Sequence, residues 1–349
     1  MMRFLKKTIF VTAPSDSVCS DGDRIRLESA IKNFNSLGID IKLGETVNIN
    51  NTYDEEEYKL KAKEVEKALL DKNIDTVIAA NGGETEFNIV KYINFDKLRN
   101  SENKIFQGFS DNSILTFLLS TLSEWKTYYA PCFPTFGYKT WDQTLKDNLE
   151  LLKGNIIEQN SQELFETKSL KKVKGKELYG YNLDTPTNLT EITGKNDFNV
   201  KGILLGGCLD VLKSILNTEY DNLKEYNKKH PNIIWFIENC AMDINELKQT
   251  LESMEDNEWF KNVSCFMIGR GKITLNENFL KSQNELLVST LSKYNVPIIT
   301  NCDFGHVRPF NTLITGANTI LRYKNNKYTI KYEDIEWSIS FLYYRKNRF

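Results

Sequence analysis

Three stretches of this 349-residue chain carry residues suited to nucleophilic chemistry, each directly after an apolar run. In Lys104-Ile105-Phe106-Gln107-Gly108-Phe109-Ser110-Asp111-Asn112-Ser113 a strand ends, a glycine permits a sharp turn, and a serine sits where a helix begins. That is the logic of a nucleophile elbow: the hydroxyl projects from the turn, and the helix start offers N–H groups and positive potential to a developing oxyanion. Serine and aspartate are also favoured N-caps, so taken alone Ser110 and Asp111 read first as caps. Glu238 closes the apolar run Ile233–Ile237. A carboxylate there needs a partner, since burying it unpaired is costly; it could orient an imidazole or accept from backbone N–H groups. His306, in Asp303-Phe304-Gly305-His306-Val307-Arg308-Pro309, follows a third strand and sits beside a flexible glycine. Serine, glutamate, histidine is one of the chain orders in which a catalytic triad occurs.

Asn81-Gly82-Gly83-Glu84 follows a further strand. Two glycines let the backbone approach a ligand and aim N–H groups at negative charge, although an empty tight turn needs them equally. Neither GxGxxG nor GxxxxGK[ST] occurs, which disfavours a dinucleotide or P-loop site. The other histidine, His230, lies in the basic turn Lys228-Lys229-His230-Pro231 and reads as solvated. With two histidines in all, a multi-histidine metal centre is excluded within one chain. The six cysteines have no CxxC or zinc-like spacing, so no metal is expected. Scattered thiols fit a reducing compartment, and those in apolar runs read as buried.

The elements that must position these residues follow from periodicity. Strands are expected at Thr8–Ala13, Ile39–Leu43, Asp75–Ala80 and Lys104–Gln107. They alternate with helices at Arg24–Leu37, Glu55–Lys72, Glu84–Ile93 and Asn112–Leu122, the pattern of a parallel sheet covered by helices. From about Asn155 to Val200 the text turns polar and lysine-rich and reads as an excursion between domains. Strands then resume at Gly202–Leu205, Ile233–Ile237, Val263–Ile268 and Pro297–Thr300. Helices are expected at Leu209–Leu216, Ile244–Met254 and Glu277–Leu291, and antiparallel β at Thr312–Ile335 with Lys324-Asn325-Asn326-Lys327 as its turn. The expected organisation is α/β: a parallel-sheet α/β domain over 1–160, an excursion over 161–199, and a smaller β-rich α/β domain over 200–349 with the active site at the domain interface.

Lys+Arg is 45 and Asp+Glu 47, a net charge of −2, which gives no electrostatic basis for a nucleic acid polymer or an anionic membrane as partner. Met1 to Pro14 is basic and then apolar, but Thr8–Ala13 is too short for a signal h-region. No other run approaches the roughly 20 apolar residues of a membrane span. A soluble, cytoplasmic protein is expected.

Taken in order, these segments resemble the LD-carboxypeptidase family of serine peptidases, closest to its microcin C self-immunity branch. Val11-Thr12-Ala13-Pro14-Ser15 is similar to the family's first strand and loop, Asn81-Gly82-Gly83 to its double-glycine turn, and Gly108-Phe109-Ser110-Asp111 to its nucleophile motif. Gly202-Ile203-Leu204-Leu205-Gly206-Gly207-Cys208-Leu209 resembles the opening of its second domain. Phe236-Ile237-Glu238 resembles the strand bearing its glutamate, and Phe304-Gly305-His306 the motif bearing its histidine. Gly269-Arg270-Gly271-Lys272 resembles a turn of the immunity branch.

The resemblance implies a Ser-His-Glu hydrolase acting on an amide beside a free carboxylate, with no cofactor. Ser110 would be the nucleophile, His306 the base and Glu238 its orienting partner, with the N–H groups of Gly83 and Asp111 as oxyanion hole. Gly82 would line the substrate site, and Tyr179 or Tyr181 would stack a nucleobase. It also implies a homodimer and a small-molecule or short-peptide substrate. Ala130-Pro131 stands where the family often has Gly-Pro. Asn239-Cys240-Ala241-Met242-Asp243 lacks the basic, tyrosine-containing stretch of the muropeptide-acting branch. An aminoacyl-nucleotide substrate is therefore expected. The alternatives are removal of a terminal D-amino acid from murein tetrapeptides, and a non-catalytic small-molecule binding protein on the same fold.

Overall fold

The computed structural model describes residues 7–333. The first five strands are β1 (Thr8–Thr12), β2 (Asp40–Leu43), β3 (Thr76–Ala79), β4 (Ile105–Gly108) and β5 (Thr127–Tyr129). They form a parallel sheet in the order β5-β4-β3-β1-β2. Its buried strands are near-continuous apolar runs, as expected when helices cover both faces. The helices between them are α1 (Asp21–Ser36), α2 (Glu55–Leu70), α3 (Phe95–Arg99) and α4 (Ser113–Ser123). Every residue of α4 except Leu122 is buried. A helix that is apolar all round must be covered all round, and the second half of the chain supplies the cover: Phe117 lies 6.2 Å from the Trp235 ring and stacks on Trp259 at 5.1 Å.

After α5 (Gln143–Leu152) come the short strands β6 (Glu158–Asn160), β7 (Leu164–Phe165), β8 (Thr185–Pro186) and β9 (Thr190–Glu191). The long β10 (Asp197–Cys208) follows, then β11 (Ile233–Glu238), β12 (Val263–Gly269), β13 (Ile298–Cys302), β14 (Leu313–Thr315), β15 (Asn318–Lys324) and β16 (Lys327–Tyr332). The second sheet has the order β6-β16-β15-β10-β11-β12-β13-β9, with β10 to β13 parallel and its other pairings antiparallel. Thus β6 and β9, from either end of the polar excursion, belong to this sheet. β14 instead crosses back to extend the first sheet, antiparallel to β5 with Leu313 opposite Tyr129.

Several elements differ from the sequence expectation; the helix expected at Leu209–Leu216 is α-helical only over Leu209–Leu212 and 3-10 over Lys213–Ile215. β10 begins at Asp197, ahead of the expected Gly202, because its first half alternates exposure along the antiparallel β15 and has no apolar run to betray it. The expected helix at Glu84–Ile93 is a 3-10 helix, Glu86–Tyr92. The N–H groups of Thr85 and Glu86 at its start are bound by the Asp111 carboxylate, each at 2.8 Å. The Thr312–Ile335 region is not one local ribbon. β15 and β16 form a hairpin whose Asn325 and Asn326 both have positive φ (53° and 55°), as a two-residue type I′ turn demands, whereas β14 pairs far away. Ile335 lies outside the described residues.

Candidate active site

The site assembles at the carboxyl ends of parallel strands, where loops leave a crevice in open α/β sheets. β4 ends at Gly108, Phe109 is extended (φ −150°, ψ 178°), and Ser110 takes φ +64°, a left-handed conformation uncommon for a residue with a β carbon. Such strain is the mark of a nucleophile elbow. Ser110 opens the short turn into α4, but its side chain does not cap it: Oγ lies 2.9 Å from His306 Nε2. Asp111 does not cap α4 either. Its Oδ2 accepts from Ser15 Oγ at 2.5 Å and from the Thr85 and Glu86 N–H groups, pinning the double-glycine loop beside Ser110.

Glu238, the last residue of β11, is fully buried. Its carboxylate lies 3.0 Å (Oε2) and 3.1 Å (Oε1) from His306 Nδ1, and Oε2 accepts from the His306 backbone N–H at 2.9 Å. Tyr129 Oη donates to Oε1 at 2.5 Å. Burial disfavours the carboxylate charge, but the imidazole and these donors outweigh it and hold the carboxyl below its usual range. Burial likewise opposes a charged imidazole, yet the adjacent Glu238 carboxylate prevails and pushes His306 up to about 9.

The histidine loop is fixed from two sides. Gly305 has φ +107°, and a β carbon there would sit 2.3 Å from Glu238 Oε2, so only glycine lets the carboxylate reach the His306 N–H. Arg270 pairs with Asp303 at 2.7 Å and donates to Asn301 O, while its own backbone exchanges hydrogen bonds with Phe304 and Val307.

Beside the serine, a β carbon on Gly82 would stand 3.1 Å from Ser110 Cβ, and one on Gly83 would stand 2.3 Å from Ser15 Oγ. The double glycine therefore lets its backbone lie against the hydroxyl. The N–H groups of Gly83 and Asp111 have no acceptor among the described residues. Tyr179 is 52% exposed, whereas Tyr181 packs edge-on against Tyr138 at 5.6 Å. His230 is far from simple solvation: its ring lies 4.2 Å from Tyr226 and burial lowers its pKa, because α7 (Leu223–Lys229) ends against it, after α6 (Leu209–Leu212).

Sequence reasoning missed four supports. Tyr129 could have been noticed as a hydroxyl at the carboxyl end of an apolar strand. The anchoring role of the Asp111 side chain and the fully buried ion pair of Lys61 with Glu57, whose ammonium also donates to Ser15 O at 2.5 Å, have no local signal. Cys208 is the fourth: a donor atom from it, one from Glu238 and one from His306 lie within 4.8 Å of one another, the one metal-compatible group among the described residues. Its carboxylate and imidazole are already committed to each other. Cys208, Cys132, Cys265 and Cys302 are buried free thiols, as their apolar surroundings suggested. Among the described residues no helix is long and apolar enough to cross a membrane.

Comparison with known proteins agrees with this architecture. Residues 9–130 match the LD-carboxypeptidase N-terminal domain and residues 201–321 the LD-carboxypeptidase C-terminal domain. A Vibrio cholerae protein named "Putative carboxypeptidase" is 23% identical over 320 residues, covering 88% of this chain and 90% of that protein. An MccF-like protein from Streptococcus pneumoniae, solved in complex with AMP, superposes with a TM-score of 0.79 at 21% identity, over 94% of this chain and 99% of that one. The microcin C7 self-immunity protein MccF, solved in complex with aspartyl sulfamoyl adenosine, superposes with a TM-score of 0.76 at 19% identity, over 94% and 96% of the two chains.

Proposed function

The chain belongs to the LD-carboxypeptidase family, and from that premise we propose that it is a serine hydrolase cleaving the amide that joins an aminoacyl group to a nucleotide-like moiety. The observation that carries the hydrolase reading is the relay Ser110 Oγ–His306–Glu238, at 2.9 Å and 3.0 Å. Ser110 attacks the amide carbonyl as His306 Nε2 takes its proton. The C–O bond forms, the carbonyl oxygen becomes an oxyanion, and the Gly83 and Asp111 N–H groups are the donors that receive it, an effect worth several kcal/mol in such sites. The tetrahedral intermediate collapses as the imidazolium protonates the leaving nitrogen. Water, deprotonated by His306, then releases the acyl group from Ser110. Glu238 keeps Nδ1 protonated and stabilises the imidazolium; it does not itself take the proton. Gly82 lines the approach to Ser110, and Tyr179, whose ring is exposed on the excursion, is the tyrosine we assign to stacking a base.

Removal of a terminal D-amino acid from murein tetrapeptides is the second reading, favoured by the carboxypeptidase name of the Vibrio relative. The deciding experiment is mass-spectrometric product detection with the wild type and Ser110→Ala, each offered an aspartyl-nucleotide analogue and an L,D-linked tetrapeptide. Cleavage of the analogue alone, abolished by Ser110→Ala, is expected. Cleavage of the tetrapeptide alone would move the substrate to the cell wall. Silence on both would favour a non-catalytic binding protein.

A further inference from the structure

Two residues beyond His306, Arg308 is only 7% exposed, yet it has no ion pair among the described residues, in contrast to the neighbouring buried Arg270. Among the described residues its one side-chain hydrogen bond goes to Gly305 O. The guanidinium carbon lies 4.5 Å from the centre of the Phe109 ring and 5.2 Å from that of Phe310. Phe109 directly precedes Ser110, and its ring is 5.3 Å from the His306 ring. The unpaired guanidinium is therefore separated from the reacting groups by a single aromatic side chain.

The polar excursion carries two further unmatched donors on which the Arg308 charge acts. Lys171 is half-buried and its ammonium has no hydrogen-bond partner among the described residues. Burial first, then the positive charges of Arg308 and Arg26, lower its pKa to about 8. The Tyr181 hydroxyl is buried without a partner among the described residues, and Arg308 is among the charges that act on it. The buried Glu166 carboxylate, whose backbone N–H bonds Arg308 O at 2.9 Å, is turned to the Asn182 N–H and makes no ion pair with the arginine. Leaving cations desolvated and unpaired is costly, and an arriving oxyanion removes that cost while using the planar donor fork of arginine.

We propose that Arg308 and Lys171 form an anion subsite that holds a carboxylate or phosphoryl group of the substrate while Ser110 attacks the neighbouring amide. The placement of that amide rests on the hydrolase reading above; the subsite is tested without turnover. Calorimetric titration of Ser110→Ala compares aspartyl with asparaginyl sulfamoyl adenosine, which isolates a carboxylate, and AMP with adenosine, which isolates a phosphoryl group. At least one anionic member should bind tenfold or more tighter than its neutral counterpart. Adding Arg308→Gln should reduce that preference below about threefold, with the neutral ligand bound as before, and Arg308→Lys should keep part of it. Lys171→Gln should weaken the preference in the same direction, and it carries the test if Arg308→Gln does not fold. No preference in Ser110→Ala, or a preference untouched by these substitutions, would overturn the proposal. Wild-type turnover, scored separately, decides the hydrolase reading.

Discussion

To accept the Ser110 proton His306 must be neutral, and the Glu238 carboxylate that orients the ring also favours its charged form. The apparent pKa near 9 belongs to the pair. The raised value stabilises the folded state fully below the ordinary histidine pKa and is lost as pH rises through about 9. Activity runs the other way: kcat/KM should climb through neutral pH towards a plateau above 9. In Glu238→Gln the main influence raising the His306 pKa is gone and burial is opposed only by Cys240, so the rising limb should shift acidward, with kcat lower by roughly 10²–10⁴-fold through loss of the correct tautomer. A pH–rate profile of both proteins checks this, and a limb that stays in place would contradict the coupling. Glu238 was legible because it ends an apolar run, and Ser110 and His306 because each stands in a glycine-containing loop just beyond a strand, although Ser110 taken alone reads first as a cap. Tyr129 left only its position at the carboxyl end of an apolar strand as a trace, since its hydrogen bond to Glu238 spans 109 positions and the partner cannot be read locally.

At the scale of elements, the site depends on loops that close over strand ends with almost no spare volume. Gly305→Ala is the sharpest probe, because a β carbon would strike both Glu238 Oε2 at 2.3 Å and Arg270 O at 2.6 Å. The loop must shift, and displacements of about 1 Å in such sites cost on the order of 10²-fold in rate. We expect kcat/KM to fall by at least that factor, with a stability loss of about 1–3 kcal/mol from backbone strain. Gly38→Ala is the matched control: φ is +79° and nothing lies within 4 Å of the added carbon, so it should cost stability, read by urea unfolding, and leave kcat/KM unchanged. Equal activity losses in both variants would refute a local steric cause. The strands and helices that carry these loops were legible from apolar periodicity. The first half of β10 was not, because one face of an antiparallel edge is solvated, and neither was the pinning of the 3-10 helix at Glu86 by a carboxylate 25 residues away.

Across the described residues, Ser110 stands at the end of one sheet and Glu238 and His306 at the ends of strands in the other, so the proposed relay requires the two sheets to keep their mutual position. β14 leaves the second half to pair with β5, and immediately beyond it Gly316 N bonds Leu204 O at 2.8 Å and Leu204 N bonds Ala317 O at 3.0 Å. The chain thus stitches the sheets together within a few residues, which no reading of a linear 1–160 and 200–349 division could reveal, since strand exchange leaves no mark on composition. α4 adds an apolar tie through Phe117 to Trp235 and Trp259. A segment comprising residues 1–160 would expose one side of α4 and leave β5 an unpaired, apolar edge. It should therefore show no cooperative thermal transition and little near-ultraviolet circular dichroism, whereas the full chain should melt in a single calorimetric transition, with hydrolysis lost at the same temperature. A sigmoidal melt of the isolated segment, or two resolved transitions in the full chain, would mean that the sheets are energetically independent. The catalytic geometry would then rest on a rigid-body docking instead of on one shared core.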